Sequence, residues 1–203
     1  MLNEVLWSTG QAVLTQCYSV RGLEAVSALN ISSTVSNLFF CAYFAFGSAI
    51  SIIVGQLLGA GEIERAKEED SKLIFCAVAV CLVIGGVMAL LSPAFPQIYN
   101  TTDAVKDIAT KCLLISSFMM PFHGFIHTAY FTLRSGGKTV ITFLFDSVYV
   151  WAILIVAAFT ISRFTEMPIV PMYFFVQSLE IIKCVIGYIL VKKGVWAKNL
   201  VES

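Results

Sequence analysis

Charge is scarce in these 203 residues: Asp, Glu, Lys and Arg together make up 13%, where a soluble domain carries about 25%. Thirteen basic and thirteen acidic side chains cancel to a formal net charge of zero. No long basic run or aromatic-basic interleaving occurs, which argues against a nucleic-acid partner. The six cysteines form no CxxC pair and mostly sit inside apolar runs, so they read as small reduced hydrophobes, not as disulfides or metal ligands. No nucleophile-base or metal constellation stands out, so neither an enzyme nor a cofactor is expected. No basic segment opens the chain, and a cleavable signal peptide is not expected.

What fills the sequence is apolar. Hydrophobic residues make up 58%, and mean hydropathy is +0.85. Six runs approach the roughly 20 residues that a bilayer crossing requires. They cover approximately 2–20, 27–58, 72–92, 108–131, 139–161 and 169–191. The runs are continuous, not alternating, so helices are expected and strands are not. The fold class is therefore all-α, a polytopic membrane protein of six transmembrane helices. The second run is long enough to bend near Gly47 or to extend beyond the bilayer. The charged stretch "GAGEIERAKEEDSK" (59–72) reads as a solvent-side turn or short amphipathic helix.

The segment "RSGGKT" (134–139) has the Gly-Lys-Thr of a phosphate-binding loop, but the glycine required five positions before Gly137 is Thr132. Its flanks are apolar helices. Arg134, Gly136 and Gly137 therefore read as parts of a short structural turn.

Lys and Arg are unevenly divided between alternate loops. Arg65, Lys67, Lys72, Arg134, Lys138, Lys192, Lys193 and Lys198 lie on one side; Arg21, Lys106, Lys111 and Arg163 lie on the other. The richer side is expected to be cytoplasmic, which places both termini in the cytosol and the protein in the plasma (inner) membrane. From Glu4 to Arg21 is 17 residues, or about 25 Å of helix, so the chain is expected to begin inside a helix.

Polar residues inside the runs recur at helical spacing. Glu4, Ser8, Gln11 and Thr15 share one face, as do Asn30, Thr34, Asn37, Cys41, Ser48 and Ser51. A third stripe holds Ser116, Met120, His123, His127, Tyr130 and Arg134, and a fourth Tyr173, Gln177, Glu180 and Cys184. Hydroxyls alone would serve as interhelical glue. Ionisable groups are costly in hydrocarbon and need a partner or a watery cavity, so four stripes in six helices predict a shared polar lumen. Gln11, Asn37, His127, Tyr130 and Gln177 are its expected lining. His123 and His127, four apart, have metal-ligand spacing but no acidic or cysteine companion, so a cavity lining or proton-responsive pair is preferred. Glu180 and Lys183 are three apart and are expected to pair within their helix. Asp146 is expected to clamp the turn together with Arg134 and Lys138. "GQLLG" (55–59) matches a GxxxG packing motif at a span end.

Taken together, "LNEVLWSTGQ" (2–11), "GSAISIIVGQLLGAGEIERAKE" (47–68), "LRSGGKT" (133–139) with "D....W" (146–151), and "KKGVWAKNL" (192–200) resemble the C-terminal half of a MATE (multidrug and toxic compound extrusion) transporter. The resemblance touches five of the six spans or their edges. It implies a twelve-helix fold of two six-helix lobes, with residues 1–203 matching the C-terminal lobe and the N-terminal lobe outside the sequence. It also implies exchange of Na+ or H+ for organic, often cationic, compounds. Glu4 matches a carboxylate that binds the coupling cation in one branch of the family. Its acidic helix-ten partner is replaced here by His123, the nearby tyrosine by Met119, and the proline after the helix-eleven tryptophan by Val156.

The leading expectation is thus half of a cation-coupled efflux antiporter. Its partners would be the lipid bilayer, an N-terminal MATE lobe or a second copy of the chain, organic cations, and Na+ or H+. Glu4 and His123 would be the coupling residues. Two alternatives stand beside it: a non-transporting remnant or assembly partner from a split gene, and a related lipid-precursor flippase lobe.

Overall fold

The computed structural model describes residues 2–197, and no strand occurs among them. Six helices follow one another. They are α1 (Leu2–Ser19), α2 (Leu23–Gly59), α3 (Ile63–Leu91), α4 (Asp103–Ser135), α5 (Thr139–Phe164) and α6 (Ile169–Lys192), with a short 3-10 turn at Phe95–Ile98 before α4. The sequence tail beyond Ala197, including Lys198, lies outside the described residues.

Helices α2 to α6 are each long and apolar enough to cross a bilayer. At 18 residues, α1 is a sixth helix of near-spanning length that carries a polar face. The protein is thus an all-helical, multi-pass membrane protein. Phe75, Leu82, Val83 and Leu90 of α3 are largely exposed, as a lipid-facing surface requires, since lipid is as apolar as the side chains themselves.

Helix α4 is the hub and packs against α2, α3 and α6. Thr102 starts it by accepting the Val105 N–H, which satisfies one of the free donors of the first turn. Pro121 lies inside it and has no N–H to give the Ser117 carbonyl one turn back. Gly85 of α3 fits against that carbonyl: a β-carbon there would stand 2.7 Å from the oxygen. Gly124 of α4 fits in the same way against Cys81 of α3, where a β-carbon would meet the sulfur at 2.7 Å. The two helices therefore meet at backbone distance. Near the α4 C-terminus, buried Thr132 donates to Asp70 Oδ1 of α3 at 2.6 Å.

Helix α2 has 37 residues, about 55 Å, and exceeds a hydrocarbon core of about 30 Å without a break at Gly47. The role of Gly47 is one of space: a β-carbon would lie 2.6 Å from the Phe131 ring of α4. The GQLLG expectation is corrected. Gly55 and Gly59 face open space, with nothing within 4 Å of a built β-carbon, so this stretch is not a packing seam.

The RSGGKT turn is structural. Gly136 N–H donates to Thr132 O and Lys138 N–H to Leu133 O, which ends α4. Gly137 adopts φ +70°, a left-handed conformation that suits glycine. Trp196 folds back under the turn, where a β-carbon at Gly136 would come within 2.1 Å of its carbonyl oxygen. The buried Trp196 ring joins Ile50, Val54, Leu58 and Leu133 in a hydrophobic cluster. A second cluster, with Tyr18, Leu154, Ile169 and Met172, joins α1, α5 and α6. At that end Arg21 donates to the carbonyls of Ile161 and Thr165, which closes the α5 C-terminus.

In α5 the stretches Leu144–Val148 and Val150–Ile155 are wound as π-helix. Gly10 of α1 lies against this segment, with Val150 and Trp151 as its neighbours, and Trp151 Nε1 donates to the Leu6 carbonyl at 3.0 Å. The wider winding occurs where α5 carries Asp146 toward Asn3 of α1 and Lys183 of α6.

Candidate functional site

Between α1, α2, α4, α5 and α6 lies a half-open cavity of about 490 Å³. The polar stripes of α1, α2, α4 and α6 converge on it. Glu4, Gln11, Asn37, His123, His127, Tyr130, Arg134, Asp146, Gln177, Glu180 and Lys183 all contribute to its wall. Some stripe members turn away: Ser8, Thr34, Cys41 and Ser48 donate back to carbonyls of their own helices. Met120 is buried beside Gly85 of α3, and Cys184 packs beside the Trp196 cluster.

The wall has three chemical zones. Near the α4 C-terminus, Asn3 is the central polar residue. Its side-chain amide donates to Tyr130 Oη at 3.1 Å and to Asp146 Oδ2 at 3.2 Å, and its carbonyl oxygen accepts from Ser147. Asp146 Oδ1 accepts from Lys183 Nζ at 3.0 Å. Arg134 Nη1 stands 3.4 Å from both Glu4 Oε1 and Tyr130 Oη. Four helices, α1, α4, α5 and α6, are joined by this network.

Two expected ion pairs are corrected here. Lys183 does not pair with Glu180. Residues three apart on a helix differ by about 60° in direction, and Lys183 points at α5, where Asp146 and the rings of Phe145 and Tyr149 receive it. Asp146 likewise does not clamp the turn with Arg134 and Lys138. Its carboxylate is taken by Lys183 and Asn3, while Arg134 projects from the last turn of α4 toward Glu4.

The middle zone is aromatic. The His127 ring has Phe44, Tyr43 and Phe131 around it at centroid distances of 4.7, 4.9 and 5.0 Å, and its Nε2 has no hydrogen-bond partner among the described residues. His123 faces Phe40 at 6.1 Å. No third His, Cys, Asp or Glu joins the two histidines in a metal-binding group among the described residues.

The third zone is held by neutral hydrogen bonds. Tyr173 Oη lies 3.0 Å from Ser116 Oγ and accepts from Gln177 Nε2 at 2.9 Å, with Tyr18 packed edge-on against the Tyr173 ring. Trp7, Phe40, Tyr43, Phe44 and Phe131 were not singled out from the sequence, because an aromatic on an apolar helix reads equally well as lipid-facing. Asn3 was missed as well; its only signal is its position next to Glu4.

Comparison with known proteins decides the family. The MatE family model matches residues 1–159, more than three quarters of the chain. The chain belongs to the MatE family. Among its MatE relatives, the probable multidrug resistance protein YoeA of Bacillus subtilis (strain 168) is 23% identical over 172 residues, covering 83% of this chain and 36% of that protein. Multidrug and toxin extrusion protein 2 of Mus musculus is 33% identical over 107 residues, covering 51% of this chain and 18% of its own length. The probable multidrug resistance protein NorM of Thermotoga maritima is 18% identical over 200 residues, covering 98% of this chain and 43% of that protein. The MatE chain therefore spans less than half the length of each of these relatives. No solved structure matches it. The MatE family is one of transporters and not of enzymes. The family match ends before α6, the helix that brings Gln177, Glu180 and Lys183 to the cavity.

Proposed function

We propose that this chain is one six-helix lobe of a cation-coupled multidrug efflux antiporter, working in the cell membrane against an N-terminal MatE lobe or a second copy of itself. The observation that carries the reading is the cavity: about 490 Å³, half open, and walled by carboxylates, histidines and aromatic rings from helices that otherwise show lipid-facing apolar surfaces. A cavity of this size suits a drug-sized molecule. Aromatic faces and carboxylates together favour organic cations over neutral or anionic compounds. Alternating access needs two units moving about a shared site, and the open side of this cavity is where the opposing unit would sit.

In this reading Glu4 and Arg134 are the coupling element. At 3.4 Å, with both side chains more than half exposed, the pair is weak and within reach of solvent ions. Na+ or H+ arriving at Glu4 displaces the guanidinium, and the loss of that contact loosens α1 from α4. His123 lies deeper on the same cavity wall, where its protonation would add a positive charge that opposes a bound cation. The lysine- and arginine-rich loops, and with them both termini, face the cytosol.

The test is ethidium efflux from an efflux-deficient bacterium. The chain expressed with an N-terminal MatE lobe should expel ethidium when a Na+ or H+ gradient is imposed, and the chain shown to be monomeric should not. Gradient-driven efflux by the monomer would overturn the two-unit reading. No efflux in either arrangement, with both chains present in the membrane, would overturn transport.

A further inference from the structure

Two cationic side chains line the cavity, and each already has an acidic partner: Arg134 is held by Glu4 and Lys183 by Asp146. A third carboxylate remains. Glu180 also lines the cavity, yet among the described residues it forms no salt bridge and receives no hydrogen bond. Its position makes that costly. From Ile169 to Glu180 is 11 residues and from Glu180 to Lys192 is 12, so it lies midway along a spanning helix, about 17 Å from either end. A carboxylate at that depth needs water or a cation beside it.

The geometry points to Glu180 as the residue that binds the charged group of the transported compound, a monovalent organic cation with an aromatic or apolar body. The inference rests on the reading of the chain as an efflux lobe and assigns the substrate contact within it. Lys183, one turn further along α6, is turned toward Asp146 and the Phe145 and Tyr149 rings, which leaves the cavity face of α6 with one unopposed negative charge. His123 and Phe40 line the same cavity, and the rings of Tyr43, Phe44 and His127 continue the wall. A flat cation would place its charge on Glu180 and its body against those faces. Glu4 is a different subsite, at the far end of α1 and engaged with Arg134. The two carboxylates can therefore be occupied independently, one by the coupling ion and the other by the exported cation.

The experiment is a fluorescence titration of ethidium on the purified full chain in lipid nanodiscs, with an uncharged analogue of the same ring system as a second probe. Wild type should bind ethidium about tenfold tighter than the neutral analogue, because a charge held in a desolvated site contributes at least that factor. Glu180→Gln should weaken ethidium about tenfold or more and leave the analogue unchanged, while Glu180→Asp keeps the preference for the cation. Asp107→Asn, in an exposed pair with Lys111 outside the cavity lining, serves as the control and should bind as wild type does. If Glu180→Gln binds ethidium as wild type does and Glu4→Gln does not, the assignment falls and the efflux reading survives. Equal binding of the cation and its neutral analogue to wild type also overturns the assignment, without needing any variant to fold. Should wild type bind neither probe, the assignment falls, and the efflux reading is decided separately by the chain paired with an N-terminal MatE lobe.

Discussion

Lys183 of α6 and Asp146 of α5 form an ion pair at 3.0 Å with the two side chains only 5% and 15% exposed. Burying two charges is costly, and removing one member leaves the other uncompensated. Lys183→Met should therefore destabilise the chain by about 3 kcal/mol, with the Asp146 carboxylate left to Asn3 alone. Asp146→Asn combined with Lys183→Met should recover most of that loss, since neither charge remains. Thermal unfolding in detergent across this double-mutant cycle measures the coupling. Additive losses would mean that the pair is not energetically joined.

The cavity was legible in the sequence because helical periodicity needs only one helix at a time. Glu4 with Gln11, Asn37, His123 with His127, and Gln177 were each placed by spacing within their own helix, and all reach the same wall. The ion pairs were not legible, because they depend on how neighbouring helices are rotated. Lys183 had Glu180 three residues away in sequence, but packing turns it toward α5 instead. Aromatics were ambiguous for a related reason. Phe44 stands beside His127 in the cavity and Phe75 faces outward, yet both occur in apolar runs with nothing local to separate them. The π-wound part of α5 contains neither glycine nor proline between Leu144 and Ile155, so no residue announces it.

The turn that resembled a nucleotide loop makes a separate prediction. Gly136 has Trp196 directly over it, and a methyl group there would lie 2.1 Å from backbone that cannot yield as a side chain can. Gly136→Ala should displace the Trp196 segment from its cluster, seen as a red-shifted and quenchable tryptophan emission. Gly137→Ala, at φ +70°, should cost about 1 kcal/mol in stability while leaving Trp196 in place. An unchanged emission spectrum in Gly136→Ala would show that the tail does not dock on the turn.

Topology is checked with engineered cysteines at exposed positions at opposite ends of the helices. Glu64, in the first turn of α3, is 86% exposed at its side chain, and Thr102 is exposed before α4. In intact cells an impermeant thiol reagent should label Thr102→Cys and spare Glu64→Cys, with both labelled after permeabilisation. Labelling of Glu64→Cys from outside would reverse the orientation, and with it the direction from which the coupling ion reaches Glu4.

Glu4 and Arg134 provide the last prediction, because Glu4 and Glu180, two of the three carboxylates of the cavity, are assigned different work. Glu4 holds Arg134 across a distance at which the contact is weak, so an arriving ion would compete for it; among the described residues Glu180 pairs with no cation. In the chain paired with an N-terminal MatE lobe, Glu4→Gln should abolish gradient-driven ethidium efflux while ethidium still binds, since the group that exchanges the ion is gone and the group that meets the compound is not. Arg134→Gln should act in the opposite sense. It frees Glu4, so the coupling ion binds more tightly and is released more slowly, and efflux slows without losing its dependence on the ion. His123 shares the cavity wall with Glu180, His127 and Lys183, and a proton on it would place a positive charge where the exported cation binds. His123→Ala should therefore keep efflux and flatten its decline at low pH. Efflux that is unchanged in Glu4→Gln and still driven by the gradient would place the coupling ion in the opposing lobe, with this cavity left to the transported cation.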